Sequence, residues 1–201
     1  METTPVVHIV DDDISVRKSL ERLLRSAGLE AKTYASAQDF LSANLPDRPG
    51  CLVLDLKMPG INGLELQEKL RDLHRSTPII FVTGYGKVPE SVKAMKAGAV
   101  DFLEKPYEEK TLLAAIDRAI EKDLLSRQDN IELASIRKHW EGLTPREQEV
   151  CELVVTGMLN KQVAYELGVA EKTIKVHRAR IMQKMEAKSL ADLVRLAERL
   201  K

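Results

Sequence analysis

The chain has 201 residues, a length that fits one large domain or two small ones. Its composition, 44% hydrophobic and 31% charged, excludes a largely disordered chain, and no apolar run is long enough to span a membrane. The 31 basic and 31 acidic residues cancel, but residues 143–201 hold 11 Lys and Arg against 8 Asp and Glu, a net charge of +3, and residues 1–142 carry −3. This asymmetry indicates two domains with different partners.

Short apolar runs alternate with amphipathic ones through the first 106 residues. Asp12 or Asp13 is suited to cap the first amphipathic run, and Ser36 with Asp39 resembles a capping box for the second. The alternation predicts a parallel sheet with helices on both faces. Strands are predicted at 6–10, 29–34 (the weakest), 51–55, 78–83 and 101–105, and helices near 13–27, 36–45, 63–74 and 88–97.

The next segment, residues 107–141, contains no Gly or Pro. Leu113, Ile116, Ile120 and Leu124 share one helical face, but the polar stretch 126–130 interrupts the apolar pattern. Two interpretations stay open: a last helix of the front domain followed by a polar linker, or one long helix that joins both domains and pairs with a second chain.

After Gly142 the pattern is entirely helical. Thr144 is placed as a helix cap, with Pro145 at the first helical position and Glu147 at the third. Asn160 is predicted to cap the next helix. Four helices are predicted in all, beginning after Thr144, at Asn160, near Glu171 and near Ser189.

The remaining general features indicate a cytoplasmic protein. The first residues include no basic stretch followed by a long apolar core, so no secretory signal is expected. Cys51 and Cys151 lie far apart and are expected to stay reduced and buried. No membrane partner is expected.

Chemically complementary side chains lie at, or directly after, the ends of four of the predicted strands. Carboxyl ends of parallel strands meet at one edge of a sheet, where ligands bind. Clustered carboxylates there would attract a hard cation such as Mg²⁺. An aspartate can carry a covalent phosphoryl group, whose charge a cation and a lysine would neutralise, so the set predicts phosphoryl transfer. The residues are Asp11, Asp12, Asp13, Asp55, Thr83 and Lys105.

Residues 3–122 resemble the receiver domain of response regulators. The resemblance implies a flavodoxin-like α/β fold with a five-stranded parallel sheet in the order 2-1-3-4-5. The matching segments are Val10-Asp11-Asp12, Leu54-Asp55-Leu56-Lys57-Met58-Pro59-Gly60, Thr83-Gly84 and Lys105-Pro106.

The resemblance also implies a role for each matched position. Asp55 would accept the phosphoryl group. Mg²⁺ would be held by Asp12, Asp55 and the backbone carbonyl of Lys57, with Asp11 acting through water. Lys105 would pair with the acceptor or its phosphoryl group, and the peptide bond from Lys105 to Pro106 would be cis. The switch residues would be Thr83 and Phe102, the latter without the hydroxyl of the tyrosine often found there.

Residues 143–200 resemble the LuxR/FixJ-type helix-turn-helix DNA-binding domain, a small all-α fold of four helices. The resemblance rests on residues 143–150, 160–164 and 173–177, and it departs at Ala170, where relatives often have a capping serine. The second helix of the motif is basic, as suits docking in the DNA major groove. The candidate DNA-facing residues are Lys172, Thr173, Lys175, Val176, His177, Arg178 and Arg180.

Together these resemblances imply a FixJ/NarL-type regulator of a bacterial two-component system, with a receiver at 1–122, a helical linker at 123–142 and a DNA-binding domain at 143–201. A sensor histidine kinase would phosphorylate Asp55. The face at residues 88–122 would then form a homodimer or release the back domain, and paired DNA-binding domains would bind promoter DNA. Transcription activation is suggested, with RNA polymerase as a further partner. The chain would be no enzyme beyond its own phosphoryl uptake and loss.

The sequence leaves two other functions open. One is a DNA-binding regulator that works without phosphorylation. The set of Asp12, Asp55, Thr83 and Lys105 argues against it, because such a regulator needs none of these groups. The other is a phosphotransferase with an aspartyl-phosphate intermediate. It is less favoured because Lys57, not a second aspartate, stands two residues after Asp55.

Overall fold

The computed structural model describes residues 4–45, 47–84 and 88–200. The chain divides into two compact units, Met1–Arg127 and Gln128–Lys201, called here the first and second unit. Within the described residues, no helix is both long and apolar enough to cross a membrane.

The first unit is built on a five-stranded parallel sheet with the order β2-β1-β3-β4-β5, which confirms the predicted fold class. The three central strands, β1, β3 and β4, are buried along their whole length because both faces are covered. The strands are β1 (Val6–Val10), β2 (Glu30–Tyr34), β3 (Gly50–Asp55), β4 (Ile79–Thr83) and β5 (Asp101–Glu104).

Helices cover both faces of this sheet, and a separate apolar core lies under each face. One core holds Leu24 and Ile116, and the other holds Phe40 and Leu66. Asp13 caps the first helix through the N–H of Ser15, as predicted. The helices are α1 (Ile14–Ser26), α2 (Ala37–Ser42), α3 (Gly63–Asp72), α4 (Val88–Lys96) and α5 (Glu109–Glu141).

Helix α5 runs for 33 residues. Of the two interpretations of residues 107–141, the structure therefore has the one long helix. Its stretch in the first unit is tied to the sheet by Asp123, which is buried. The Asp123 carboxylate accepts hydrogen bonds from the Gly50 N–H at 3.0 Å and from Arg127 Nε at 2.7 Å. The polar residues that interrupt the apolar pattern therefore include a partner of a buried carboxylate.

The second unit contains residues 128–141 of α5 and four further helices around one apolar core. Thr144 and Glu147 form the predicted capping box, and Pro145 is the first helical residue. Ala170 precedes its helix without a side-chain cap. The helices are α6 (Pro145–Val155), α7 (Asn160–Glu166), α8 (Glu171–Lys184) and α9 (Leu190–Glu198).

The prediction that Asn160 caps α7 is wrong. Leu159 occupies the cap position, and its N–H donates to Gln162 Oε1 at 2.8 Å. Asn160 is the first helical residue, and its Oδ1 accepts a hydrogen bond from Arg178 Nη1 at 2.8 Å. The local capping preference of asparagine is overridden here by a contact with a residue 18 positions away.

Candidate functional site

Two buried carboxylates face one lysine at the carboxyl edge of the sheet. Asp11 directly follows β1, Asp55 is the last residue of β3, and Lys105 directly follows β5. Lys105 Nζ lies 2.9 Å from Asp11 Oδ2 and 3.3 Å from Asp55 Oδ1. With both carboxylates ionised, the three groups carry one excess negative charge in a partly desolvated place.

Backbone N–H groups fix the other oxygens of these carboxylates. Asp11 Oδ1 accepts from the Asp13 N–H at 2.9 Å, and Asp55 Oδ2 accepts from the Lys57 N–H at 2.7 Å. Asp12, between the buried Asp11 and the helix cap Asp13, is exposed. The edge thus presents the exposed carboxylate of Asp12 beside the two buried carboxylates that are held in place.

Burial and charge act on the titration of this cluster. Burial raises the pKa of Asp55, and the charge of Asp11 adds to the rise, against the opposing effects of Lys105 and the Lys57 N–H. Burial alone would lower the pKa of Lys105, but its hydrogen bonds to Asp11 and Asp55 outweigh burial and raise it. Lys105 is therefore an ammonium at neutral pH.

The two switch candidates lie on neighbouring strands. Thr83, the last residue of β4, is buried, and its carbonyl accepts the Lys105 N–H at 2.8 Å. Phe102 pairs in register with Phe81, and the two ring centroids are 6.0 Å apart. The bond from Lys105 to Pro106 is cis. The half-buried Phe102 ring packs against the core that contains α3.

The carboxyl edge of the sheet is rich in oxygen atoms that could bind a cation. In the part of the chain that the structure describes, no group of three or more His, Cys, Asp or Glu side chains is placed to hold a metal ion. Mg²⁺, however, commonly uses one or two carboxylates and completes its shell with waters and phosphate oxygens. The excess negative charge and the all-oxygen donors fit that ion.

Two residues of this site were missed by the sequence analysis. Arg17 Nη1 donates to the carbonyl of Asp11 at 2.6 Å. Gly63, the first residue of α3, lies so close to β3 that a Cβ there would be 2.5 Å from the Asp55 carbonyl oxygen. Asp11 lies before α1 and Arg17 lies within it, so no single periodicity relates the two residues, whereas a glycine at a helix start was a signal that could have been used.

The second unit contains the predicted helix-turn-helix, formed by α7, a turn at Gly168 with φ of 65°, and α8. The candidate residues on α8 fall into two groups. His177 and Arg178 are half-buried and lie between the buried Ile174 and Ile181 along α8. The exposed group consists of Lys172, Thr173, Lys175, Val176 and Arg180.

An ion pair connects the end of α8 with the start of α6. Lys184 Nζ lies 2.6 Å from Glu147 Oε2 and donates to the Gly142 carbonyl at 3.2 Å. The hydrogen bond from Lys184, followed by that from the Thr144 N–H, lowers the pKa of Glu147 to about 2. The pair helps to hold the basic helix against the rest of the unit.

Acidification is expected to destabilise the second unit through Glu147. The pKa is near 2 when folded and 4.5 ordinarily, so the stabilisation is complete above pH 4.5 and is lost as the pH falls toward 2. Because Lys184 is 39% exposed and partly screened, we expect a loss of about 2 kcal/mol. The loss of stability is measured by unfolding the chain at several pH values and following the fluorescence of Trp140, the single Trp.

The Glu147→Gln variant should be less stable at pH 7 and should lose less stability on acidification. Glu152→Gln, at an exposed position of the same helix, is the control and should follow the wild type. An unchanged pH slope in Glu147→Gln would contradict this role.

Comparison with known families defines the class of protein. Residues 7–117 match the response regulator receiver domain, and residues 141–197 match the bacterial regulatory proteins of the luxR family. The chain belongs to the two-component response regulators that join a receiver domain to a LuxR-type DNA-binding domain. It is a transcriptional regulator activated by phosphorylation, of a class whose members are typically not enzymes.

Individual relatives are similar over nearly the whole chain. Nodulation protein W of Bradyrhizobium diazoefficiens is 49% identical over 198 residues, which cover 98% of this chain and 87% of that protein. The transcriptional regulatory protein FixJ of Rhizobium meliloti is 46% identical, with coverage of 97% and 96%. The solved structure of response regulator StyR is 48% identical, with coverage of 98% and 100% and a TM-score of 0.84.

Proposed function

We propose that Asp55 accepts a phosphoryl group from a sensor histidine kinase and that this event switches dimerisation and promoter binding. The observation that carries the proposal is the Lys105 ammonium between the buried carboxylates of Asp11 and Asp55. In the transfer, a carboxylate oxygen of Asp55 bonds to phosphorus while the bond from phosphorus to the donor nitrogen breaks. Lys105 then faces a phosphoryl oxygen and offsets its charge.

The proposed site for Mg²⁺ comprises Asp12, Asp55 and the backbone carbonyl of Lys57, with Asp11 acting through water. Bound Mg²⁺ would neutralise charge on the phosphoryl oxygens. The donor set suits the ion because it is made of oxygens and surrounds an excess negative charge. The backbone bond from Lys57 to Asp55 and that from Asp13 to Asp11 hold the two buried carboxylates in fixed rotamers.

The switch that we propose runs from Asp55 through Thr83 and Phe102 to residues 88–122. A phosphoryl group on Asp55 supplies an acceptor for the Thr83 hydroxyl, and Phe102 follows inward. The homodimer then forms through 88–122. Exposed apolar residues at helical spacing on α4 support this face: Val88, Val92 and Met95, which are 76%, 45% and 45% exposed.

We assign promoter DNA as the ligand of the second unit. In this proposal the receiver domain is 1–122, the helical linker 123–142 and the DNA-binding domain 143–201. On the family resemblance, we further propose action in the cytoplasm, contact with RNA polymerase and activation of transcription. The proposed contacts are Lys172, Thr173, Lys175, Val176, His177, Arg178 and Arg180, of which the exposed five are favoured for direct contact.

Two arginines on α8 are expected to respond differently to replacement by alanine. Arg180 is exposed, so its loss should weaken binding to duplex DNA about tenfold near 0.1 M salt and reduce the salt slope by about one. Arg178 donates to Asn160, so its loss should lower stability and leave the salt slope nearer the wild-type value. Titrations of mixed-sequence duplex at several salt concentrations measure both slopes, and equal slopes would contradict the distinction.

The function is tested on the wild-type chain. Incubation with acetyl phosphate should add one phosphoryl group to the intact mass only when Mg²⁺ is present. Light scattering should then show a dimer, and selection from random duplexes should show tighter DNA binding than by the untreated chain. No adduct under any condition, together with no response to beryllofluoride, would contradict the proposal.

A further inference from the structure

We infer that Arg17 is a positioning residue for the proposed Mg²⁺ site, so this inference rests on the proposed function. Arg17 lies on α1 and is half-buried, and its Nη1 donates to the carbonyl oxygen of Asp11 at 2.6 Å. It therefore bonds the main chain of Asp11, whereas Lys105 donates to the carboxylates of Asp11 and Asp55.

The Arg17 bond acts on Asp12 through the geometry of the peptide group. The carbonyl of Asp11 and the N–H and Cα of Asp12 lie in one plane, so an atom bonded to that carbonyl limits the rotation of the plane. The other main-chain contact of Asp11 is its N–H to the Tyr34 carbonyl at 3.4 Å, a long hydrogen bond. Arg17 thus supplies the shorter, charge-assisted restraint on the position of Asp12.

Asp12 depends on such a restraint because its side chain is exposed, whereas neighbouring carboxylates are bonded. Asp11 is held by Lys105 and the Asp13 N–H, and Asp13 is bonded to the Ser15 N–H. A metal site loses affinity when its ligands are free to move, and partners outside the coordination shell commonly change affinity by about 10- to 100-fold. Arg17 therefore favours Mg²⁺ binding by ordering a ligand.

The charge of Arg17 would act in the opposite direction. A guanidinium near a divalent cation repels it, so removal of the charge alone would tighten Mg²⁺ binding. The two effects have opposite signs, and a titration distinguishes them.

The test is a calorimetric Mg²⁺ titration of the full chain without a phosphoryl donor. Arg17→Met is expected to weaken Mg²⁺ binding about tenfold. In acetyl phosphate assays, the Mg²⁺ concentration at half-maximal rate should rise by the same factor while the rate at saturating Mg²⁺ stays within about twofold. Lys18→Met removes an exposed charge at the next position of α1 and should bind Mg²⁺ like the wild type.

The outcomes separate this inference from the proposed function. Wild-type affinity or tighter binding in Arg17→Met would overturn the positioning role while the Mg²⁺ site stands. No Mg²⁺ binding by the wild type would overturn both. Circular dichroism without Mg²⁺ checks folding. If Arg17→Met fails to fold, Arg17→Gln, whose terminal nitrogen lies two bonds nearer the main chain than Arg17 Nη1, replaces it with the same expected weakening and the same contrary result.

Discussion

The Asp55→Asn variant is expected to gain no phosphoryl group from acetyl phosphate under conditions in which the wild-type chain gains one. Asparagine has nearly the shape of aspartate, so its side-chain oxygen can still accept the Lys57 N–H now bonded to Asp55 Oδ2. The neutral amide, however, is no nucleophile for phosphorus. The substitution should therefore preserve the fold and abolish the chemistry, which intact mass measures directly.

Asp72→Asn is the matched control for this prediction. Asp72 is the exposed last residue of α3, and its replacement removes the same charge away from the sheet edge. It should take up one phosphoryl group like the wild type and form the same dimer. Phosphorylation of Asp55→Asn to the wild-type extent would mean that another carboxylate is the acceptor, and peptide mapping would then identify it.

The sheet of the first unit could be predicted because its strands are apolar on both faces. Such runs stand out wherever a strand is buried, as in β1, β3 and β4. The strand β2 gave a weaker signal because it lies at the edge of the sheet and three of its five residues are exposed. Helix starts with a local cap, such as that after Thr144, could also be predicted, because the capping residues lie within four positions of one another.

Features that depend on distant residues could not be predicted. Asn160 was assigned as a cap on its local preference, but its side chain is bonded by Arg178. Polar residues around 126–130 left the length of α5 open, because nothing local shows that the carboxylate of Asp123, which also bonds Arg127, accepts the N–H of Gly50, 73 residues away. In both cases a tertiary contact decides between local structures that the sequence permits.

The residues of the candidate phosphoryl site likewise divide into those that the sequence could reveal and those that only the folded structure reveals. The acids, Thr83 and Lys105 were found because the carboxyl ends of parallel strands converge at one edge, a rule that needs only the positions of the strands and their parallel direction. Arg17 and Gly63 were not predicted because they contact main-chain atoms of Asp11 and Asp55. A sequence does not show which carbonyl group a residue of another element approaches. The split of the α8 residues into exposed and half-buried groups likewise required the packing of Ile174 and Ile181.

Gly63→Ala is expected to destabilise the first unit by about 3 kcal/mol and to slow phosphoryl uptake at Asp55. An added Cβ would lie 2.5 Å from the Asp55 carbonyl oxygen and 2.9 Å from Phe81 Cε1. The Gly63 N–H donates to the Leu56 carbonyl at 3.0 Å, which holds α3 against the end of β3. The clash can therefore be relieved only by moving α3 away or by displacing the backbone of Asp55.

Gly84→Ala is the control for stability, because a Cβ at Gly84 would meet no atom within 4 Å. Neither glycine has the left-handed backbone conformation, so the pair isolates the effect of the contact from that of backbone strain. Urea unfolding followed by circular dichroism should leave Gly84→Ala within about 0.5 kcal/mol of the wild type. Equal stability of the two variants would show that α3 moves to accommodate the added Cβ without a loss of unfolding free energy. A slower uptake by folded Gly63→Ala would then still show that the approach of α3 sets the position of Asp55, since the substitution alters no group that reacts.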